Sequence, residues 1–374
     1  MDVMEKIKSD FRAIYRGKRV LITGNTGFKG SWLSYWLLLM KADVYGYSLC
    51  PPTKPSHFEL LNLPYPTYFE DIRDDEKLKE AMKSVQPDII FHLAAQPLVR
   101  YSYLHPQETL ETNILGTANV LEASRAVKSV KALVVITSDK CYENNEWVWG
   151  YRENDRMGGT DPYSSSKACA EIIIHSYVES FFSPRRRKNS GQALVASARA
   201  GNVIGGGDWS SDRIVPDIVK GAAQNKVAQL RNPRATRPWQ HVLEPLSGYL
   251  QLGKKLLEGD RSFIGAWNFG PSDENILTVE DMVREMKRRW KRIRYEIRPN
   301  ADYHESRLLK LDCSKALARL NWRSAWETSK AIAKTTEWYR QFYTIPNVDV
   351  RKMTLENIQE YVRDATNKKI DWSK

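Results

Sequence analysis

A chain of 374 residues, 42% of them hydrophobic and 27% charged, holds enough apolar side chain for a large core, in two domains or one elaborated domain. Charged residues interrupt every apolar run before the roughly 18 to 20 residues a membrane span needs, and Glu5, Lys6, Lys8 and Asp10 leave no export signal, so a soluble cytoplasmic protein is expected. Four scattered cysteines without C-x-x-C spacing and six histidines without an H-E-x-x-H pair exclude a disulfide framework and a metal site. The net charge of +12 admits nucleic acid or a phosphorylated small molecule as partner. The densest basic runs, 185–188 and 287–294, lack the aromatic interleaving of a single-strand binder and read as solvated surface.

In chain order, residues 1–16 predict a short amphipathic helix outside the main sheet, with Met4, Ile7, Phe11 and Ile14 on one side. Val20-Leu21-Ile22 then enters Thr23-Gly24-Asn25-Thr26-Gly27-Phe28-Lys29-Gly30 and leaves into the apolar stretch 31–40, a strand, glycine turn and helix. The three glycines allow a tight turn, bring backbone N–H groups to a pyrophosphate and let helix and strand pack closely; taken alone, the spacing also fits an ordinary turn. Residues 43–47 make a second strand, and Pro51, Pro52 and Pro55 mark a loop. No Asp or Glu lies in 47–54 to hold ribose hydroxyls, and Lys54 is near, which leaves NAD and NADP both open.

Strands are expected over 67–72 and 88–92, with a helix over 75–85 between them. Leu93-Ala94-Ala95 follows as a small-residue edge where a flat ligand can lie, or simply as tight packing. One long helix is expected over 106–127, with Asn113 a polar exception in its apolar pattern. Residues 131–137, apolar on both faces as a buried parallel strand, deliver Thr137-Ser138-Asp139-Lys140 to the ligand edge of the sheet. From Pro162 a helix runs to about 182, and the interval of four puts the Tyr163 phenol and the Lys167 ammonium on one face. This alternation predicts an α/β fold built on a doubly wound parallel sheet.

Tyr163, Lys167 and Ser138 make chemical sense together. A tyrosine with its ordinary pKa of about 10 is a poor base at neutral pH, and a neighbouring cation favours the phenolate. Lys167 supplies that charge and can hold a nicotinamide ribose, while Ser138 hydrogen-bonds the same substrate oxygen. Such a set removes a proton from an alcohol as its carbon gives up hydride.

Gly24 to Trp32, Thr137-Ser138-Asp139-Lys140-Cys141-Tyr142, Trp147-Val148-Trp149-Gly150-Tyr151-Arg152-Glu153, Arg199 to Trp209 and Arg237-Pro238-Trp239-Gln240-His241-Val242 carry a closer likeness. With them the chain resembles the extended short-chain dehydrogenase/reductase family, and within it the nucleotide-sugar 4,6-dehydratases, over about residues 17–322. The resemblance implies an extended Rossmann fold, with residues 1–200 binding NAD and 201–374 forming a smaller C-terminal substrate-binding lobe interleaved with the last strands. It implies that Gly24, Thr26, Gly27, Phe28, Lys29, Gly30, Asp71, Ile72, Leu93, Ala94 and Ala95 hold NAD with Tyr163 and Lys167. The implied substrate is a nucleotide sugar, CDP-glucose, contacted by Asn113, Asn202, Arg213, Arg237 and Arg307; Arg237 and Arg307 either neutralise the diphosphate or pair with surface carboxylates. Asp139 is implied as the acid and Lys140 as the base of an elimination, a pair that an epimerase or reductase does not need. A homo-oligomer, dimer or tetramer, through two packed helices is the family habit. The nearest rival is a dehydratase, epimerase or reductase acting on another nucleotide sugar; from a different class, the rival is a nucleic-acid binder on a degenerate dinucleotide fold.

Overall fold

The computed structural model describes residues 10–182, 192–271, 276–298 and 308–373, so that the basic run 185–188 and Arg307 lie outside the described residues. Alternate residues of each central strand enter different cores. Val20 and Ile22 join one cluster and Leu21 the other, and Ile89 and Phe91 part from Ile90 in the same way. Strands that are apolar on both faces must be covered on both, which is the reason for helices on each side of a parallel sheet.

The strands of that sheet are β1 (Arg19–Thr23), β2 (Asp43–Tyr47), β3 (Thr67–Tyr68), β4 (Ile89–His92), β5 (Ala132–Ile136), β6 (Leu194–Arg199) and β7 (Gly265–Asn268). They lie in the order β3-β2-β1-β4-β5-β6-β7, every neighbouring pair parallel. The order reverses between β1 and β4, where Thr23 is level with Tyr47 on one side and His92 on the other. The carboxyl ends of the strands open there into a crevice, the usual ligand position of a doubly wound sheet. β7 comes from beyond residue 200, so the second part of the chain returns to the sheet. Among the described residues that part also forms three small two-stranded sheets, in which Val203–Ile204 pairs with Gln240–His241, Thr236–Arg237 with Leu277–Thr278 and Ala228–Leu230 with Tyr295–Ile297.

Two expected elements differ. The strand over 67–72 stops at Tyr68, because the Asp71 carboxylate takes the Arg73 N–H at 2.9 Å and the Asp71 carbonyl takes the Asp74 N–H, turning the chain away at the sheet's edge. The helix over 106–127 is three pieces, Pro106–Leu110, a π turn Glu111–Leu115 and Gly116–Ala126, preceded by an unanticipated short helix Val99–Leu104. The wide turn carries Asn113, whose side chain bonds the loop after β4 and the helix Pro162–Tyr177.

At the other end of the chain, helix Val350–Asn367 packs on the helix Phe28–Leu39 that follows the glycine turn, and helix Thr328–Thr344 lies against the loop of Gly206 and Asp208. Trp36 meets Tyr361 at 5.8 Å and Trp372 at 5.9 Å between ring centres, and Phe11 of the short helix Asp10–Tyr15 stacks on Trp372 at 5.2 Å. Trp338 closes the underside of Gly206, where a Cβ would stand 2.0 Å from the indole. The Tyr339 hydroxyl donates to the Asp208 carbonyl, so these helices shape the loop that carries Arg213. Among the described residues no helix is long and apolar enough to cross a membrane.

Candidate active site

Close packing makes the glycine turn. Gly24 has φ of +76°, and a Cβ there would lie 2.6 Å from the Ala94 nitrogen; one on Gly30 would lie 2.1 Å from the Gly24 carbonyl oxygen. The helix begins at Gly27 with no side-chain cap, which leaves its first N–H groups and the positive end of its dipole at the crevice. Thr26 fastens the turn to the end of β2, its hydroxyl 2.7 Å from Ser48 Oγ and donating to the Leu49 carbonyl at 2.9 Å. Leu93 and Ala94 form the opposite wall, bonded through their N–H groups to the Thr23 carbonyl at 3.0 Å and hydroxyl at 3.3 Å. Asp71 spends its carboxylate on Arg73, while its carbonyl accepts the Tyr47 hydroxyl at 3.1 Å. Ile72 is buried against Gly116, where a Cβ would meet it at 2.6 Å.

Beyond β5 the chain enters a short 3-10 turn, Asp139–Cys141, capped by Ser138. Ser138 Oγ donates to Asp139 Oδ1 at 2.8 Å and accepts the Lys140 N–H at 3.2 Å. Asn202 Nδ2 donates to Asp139 Oδ2 at 3.4 Å, and only a glycine fits at 201, since a Cβ there would stand 1.8 Å from that oxygen. Ser138 also acts on the Tyr163 side chain, which brings the end of β5 and the helix Pro162–Tyr177 together at one point. Lys140 is half-buried beside them.

Burial pushes the Tyr163 phenol up to about 12, with Ser138 and Arg213 opposing and Asp139 adding to the rise. A buried phenolate loses its water, and that outweighs the Arg213 cation. Burial likewise pulls Lys167 down to about 8, against the support of Glu171 and Cys141. Lys29, expected on the cofactor, has its amine 3.4 Å from the Tyr249 hydroxyl; burial and then Arg213 lower it to about 8, with Asp139 opposing and Lys167 adding to the fall. It therefore shares its surroundings with the reacting groups.

Of the expected sugar-nucleotide contacts, Asn202 and Arg213 reach the centre. Arg213 pairs with Asp208 at 2.9 Å and acts electrostatically on both Tyr163 and Lys29. Arg237 lies on the small strand Thr236–Arg237 and donates to the Thr236 carbonyl at 2.8 Å. Asn113 is fully buried: its amide donates to the Gln96 carbonyl at 3.0 Å and to Ser166 Oγ at 2.8 Å, and its oxygen accepts the Gln96 N–H at 2.8 Å. Sequence reasoning passed over Asp208, Tyr249, Arg199 and Glu171. Glu171 carried a signal, being the third member of a four-residue series with Tyr163 and Lys167.

A glycine turn at the switch point, facing a serine at the end of β5 and a Tyr-x-x-x-Lys helix, defines an extended short-chain dehydrogenase/reductase. Solved structures agree on that fold. The chain superposes on an epimerase, Mth375, from Methanothermobacter thermautotrophicus with a TM-score of 0.76 at 23% identity, covering 94% of this chain and 97% of that one. It matches a UDP-glucose-4-epimerase from Stenotrophomonas maltophila, solved with bound NAD, with a TM-score of 0.74 at 20% identity over 87% and 98% of the two chains. More particularly, the chain belongs to the GDP-mannose 4,6 dehydratase family, whose model matches residues 21–335. A CDP-glucose 4,6-dehydratase of Salmonella typhimurium is 47% identical over 355 residues, 94% of this chain and 98% of the relative.

Proposed function

We propose that this protein converts CDP-glucose to CDP-4-keto-6-deoxyglucose and water, using NAD that it retains through the cycle. The observation that carries the reading is Asp139 and Lys140 on one turn beside Ser138 and Tyr163, an acid and a base added to an oxidation site. The 47% identity to a protein named CDP-glucose 4,6-dehydratase supports the nucleotide.

The crevice suits a dinucleotide. The cradle at Gly24 and Gly30 admits no Cβ, the helix start at Gly27 offers N–H groups to a pyrophosphate, and Leu93, Ala94 and Ala95 offer a small-residue edge. Gly24, Thr26, Gly27, Phe28 and Gly30 would hold the phosphates and adjoining ribose, Asp71 and Ile72 the adenine end, and Tyr163 and Lys167 the nicotinamide ribose. Bound there, NAD would supply the hydride acceptor for C4 of the glucose and the hydride donor for C6.

The chain's own residues handle the protons. Tyr163 takes the proton of the C4 hydroxyl, with Ser138 hydrogen-bonded to that oxygen. The resulting 4-keto group acidifies C5, Lys140 removes the C5 proton, and Asp139 gives a proton to the departing O6, so that water leaves across C5 and C6; when hydride reaches C6, Lys140 returns the proton to C5. Asn202 and Arg213 would contact the nucleotide sugar, and the resemblance adds Arg237 and Arg307 for its diphosphate, while Asn113 holds the Gln96 loop to the catalytic helix.

Exposed Leu104, Leu110, Leu115, Ile172 and Phe181 lie on and beside the helical segments Val99–Ala126 and Pro162–Phe182, and we assign this face to a second copy of the chain in a homo-oligomer. The four free cysteines suit the cytoplasm. Mass spectrometry of CDP-, UDP-, GDP- and dTDP-glucose after incubation with the protein, with and without added NAD, tests the reading. Loss of one water from the CDP sugar alone is expected. Cofactor binding with no loss of water from any of the four would move the assignment to epimerase or reductase.

A further inference from the structure

Three side chains at four-residue intervals line one stripe of the helix Pro162–Tyr177: Tyr163, Lys167 and Glu171. All are buried. The Glu171 carboxylate is bound on every side. Thr137 Oγ1 donates to Oε1, Ser197 Oγ donates to Oε2 at 2.8 Å, and the Arg199 guanidinium donates to Oε2 at 2.8 Å. Thr137 directly precedes Ser138, and Arg199 precedes Gly201 and Asn202, the residues that close on Asp139. One carboxylate thus ties the catalytic helix to the ends of β5 and β6. Arg199 is itself held, donating to the Tyr142 hydroxyl at 2.6 Å and the Glu153 carbonyl at 3.0 Å.

We propose that Glu171 is a positioning residue for the oxidation step: it fixes the Tyr163 and Lys167 stripe against Ser138 and supplies the anion that keeps Lys167 an ammonium. The inference rests on the role given above to Lys167, which must be charged to hold the nicotinamide ribose and to steady the Tyr163 phenolate.

The groups around Lys167 make that anion necessary. Tyr163 lies one turn before it, Lys29 reaches it electrostatically from the glycine turn, and His92 faces it from β4 as a neutral ring, since burial lowers that imidazole to about 3. Cys141, from the turn after β5, is a thiol that burial pushes up. Burial works against the ammonium, and Glu171 is its leading electrostatic support, with Arg199 on the far side of the carboxylate. An unpaired buried carboxylate would take up a proton and lose this effect, so the ion pair with Arg199 is what keeps Glu171 charged.

The test is the pH dependence of NAD affinity, followed by tryptophan fluorescence without any sugar. In the native protein, affinity is expected to fall on the alkaline side with a midpoint near the Lys167 value of about 8. In Glu171→Gln the midpoint should drop by about one pH unit or more. Thr137→Ala removes one hydrogen bond, keeps the charge, and should leave the midpoint in place. Gln beside a buried Arg199 risks misfolding, so the charge-neutral double variant Glu171→Gln, Arg199→Met is measured as well, with the same shift expected. An unmoved midpoint in the folded variant, whatever its overall loss of affinity, would overturn the proposal. Absence of saturable NAD binding by the native protein would overturn it together with the cofactor assignment. The expected shift in a protein that removes water from no nucleotide glucose would uphold it and sink the dehydration alone.

Discussion

Glu171, on the catalytic helix, and Glu244, at the start of the helix Leu243–Leu257 beneath the C-terminal helices, are both buried. Burial pushes Glu171 up, but the Arg199 charge and the hydrogen bonds of Arg199, Thr137 and Ser197 prevail, and the carboxyl stays below its usual value of 4.5. Glu244 meets neutral donors instead: the N–H groups of Ala325 at 3.0 Å and Trp326 at 2.7 Å, and the Tyr361 hydroxyl at 2.7 Å. Burial wins there, and its carboxyl rises to about 7. The same side chain at the same depth is a fixed anion where chemistry needs one, and a partly protonated strut where only packing is served.

The two should respond oppositely to pH. A lowered carboxyl contributes stability that is present above its unfolded pKa and lost as pH falls through the folded value. For Glu171 that loss comes below 4.5. A raised carboxyl contributes stability that is fully present below the unfolded value and lost as pH rises through the folded one, which for Glu244 is the window from 4.5 to about 7.

Variants can break this contrast. The largest effect is expected at the chemistry itself: Tyr163→Phe should lose about a thousandfold in turnover with an unchanged denaturation midpoint. Lys140→Ala should still oxidise C4, seen as nicotinamide absorbance, while releasing no water; equal loss of both steps would contradict its role as base. Next comes Arg199→Met, which strands a buried carboxylate and should cost about 3 to 5 kcal/mol in chemical denaturation, much of it recovered by adding Glu171→Gln. On the other side, Glu244 should account for about 3 kcal/mol of stability lost between pH 4.5 and 7. Glu244→Gln should flatten that part of the profile; a profile unchanged by the substitution would place the titration elsewhere. Smallest, Gly206→Ala drives a methyl into Trp338 and should cost about 1 to 3 kcal/mol, with KM for the nucleotide sugar rising because Asp208 and Arg213 share the displaced loop.

The same contrast explains what the sequence disclosed. The glycine turn, Ser138 and the Tyr163 to Lys167 interval were legible because each depends on spacing within one turn or element. The pair Glu171 and Arg199 was not, since its members stand on a helix and a strand and meet only when the sheet is assembled. The C-terminal helices Thr328–Thr344 and Val350–Asn367 carry none of the site motifs, yet Trp338 and Tyr339 support Gly206 and Asp208 from the far end of the chain. Strand 67–72 was overread because apolar pattern cannot reveal that Asp71 turns the backbone at an unpaired edge. The helix over 106–127 was overread because its periodicity hides a wide turn made for Asn113.

The most direct test of the central claim uses CDP-glucose deuterated at C4, incubated with the protein in ordinary water and analysed by proton NMR and mass spectrometry. The expected product is CDP-4-keto-6-deoxyglucose with the deuterium in its C6 methyl group, since the hydrogen leaves C4 and returns at C6 within one retained cofactor. Deuterium lost to solvent, or remaining at C4 of an epimerised or reduced sugar, would contradict the dehydration.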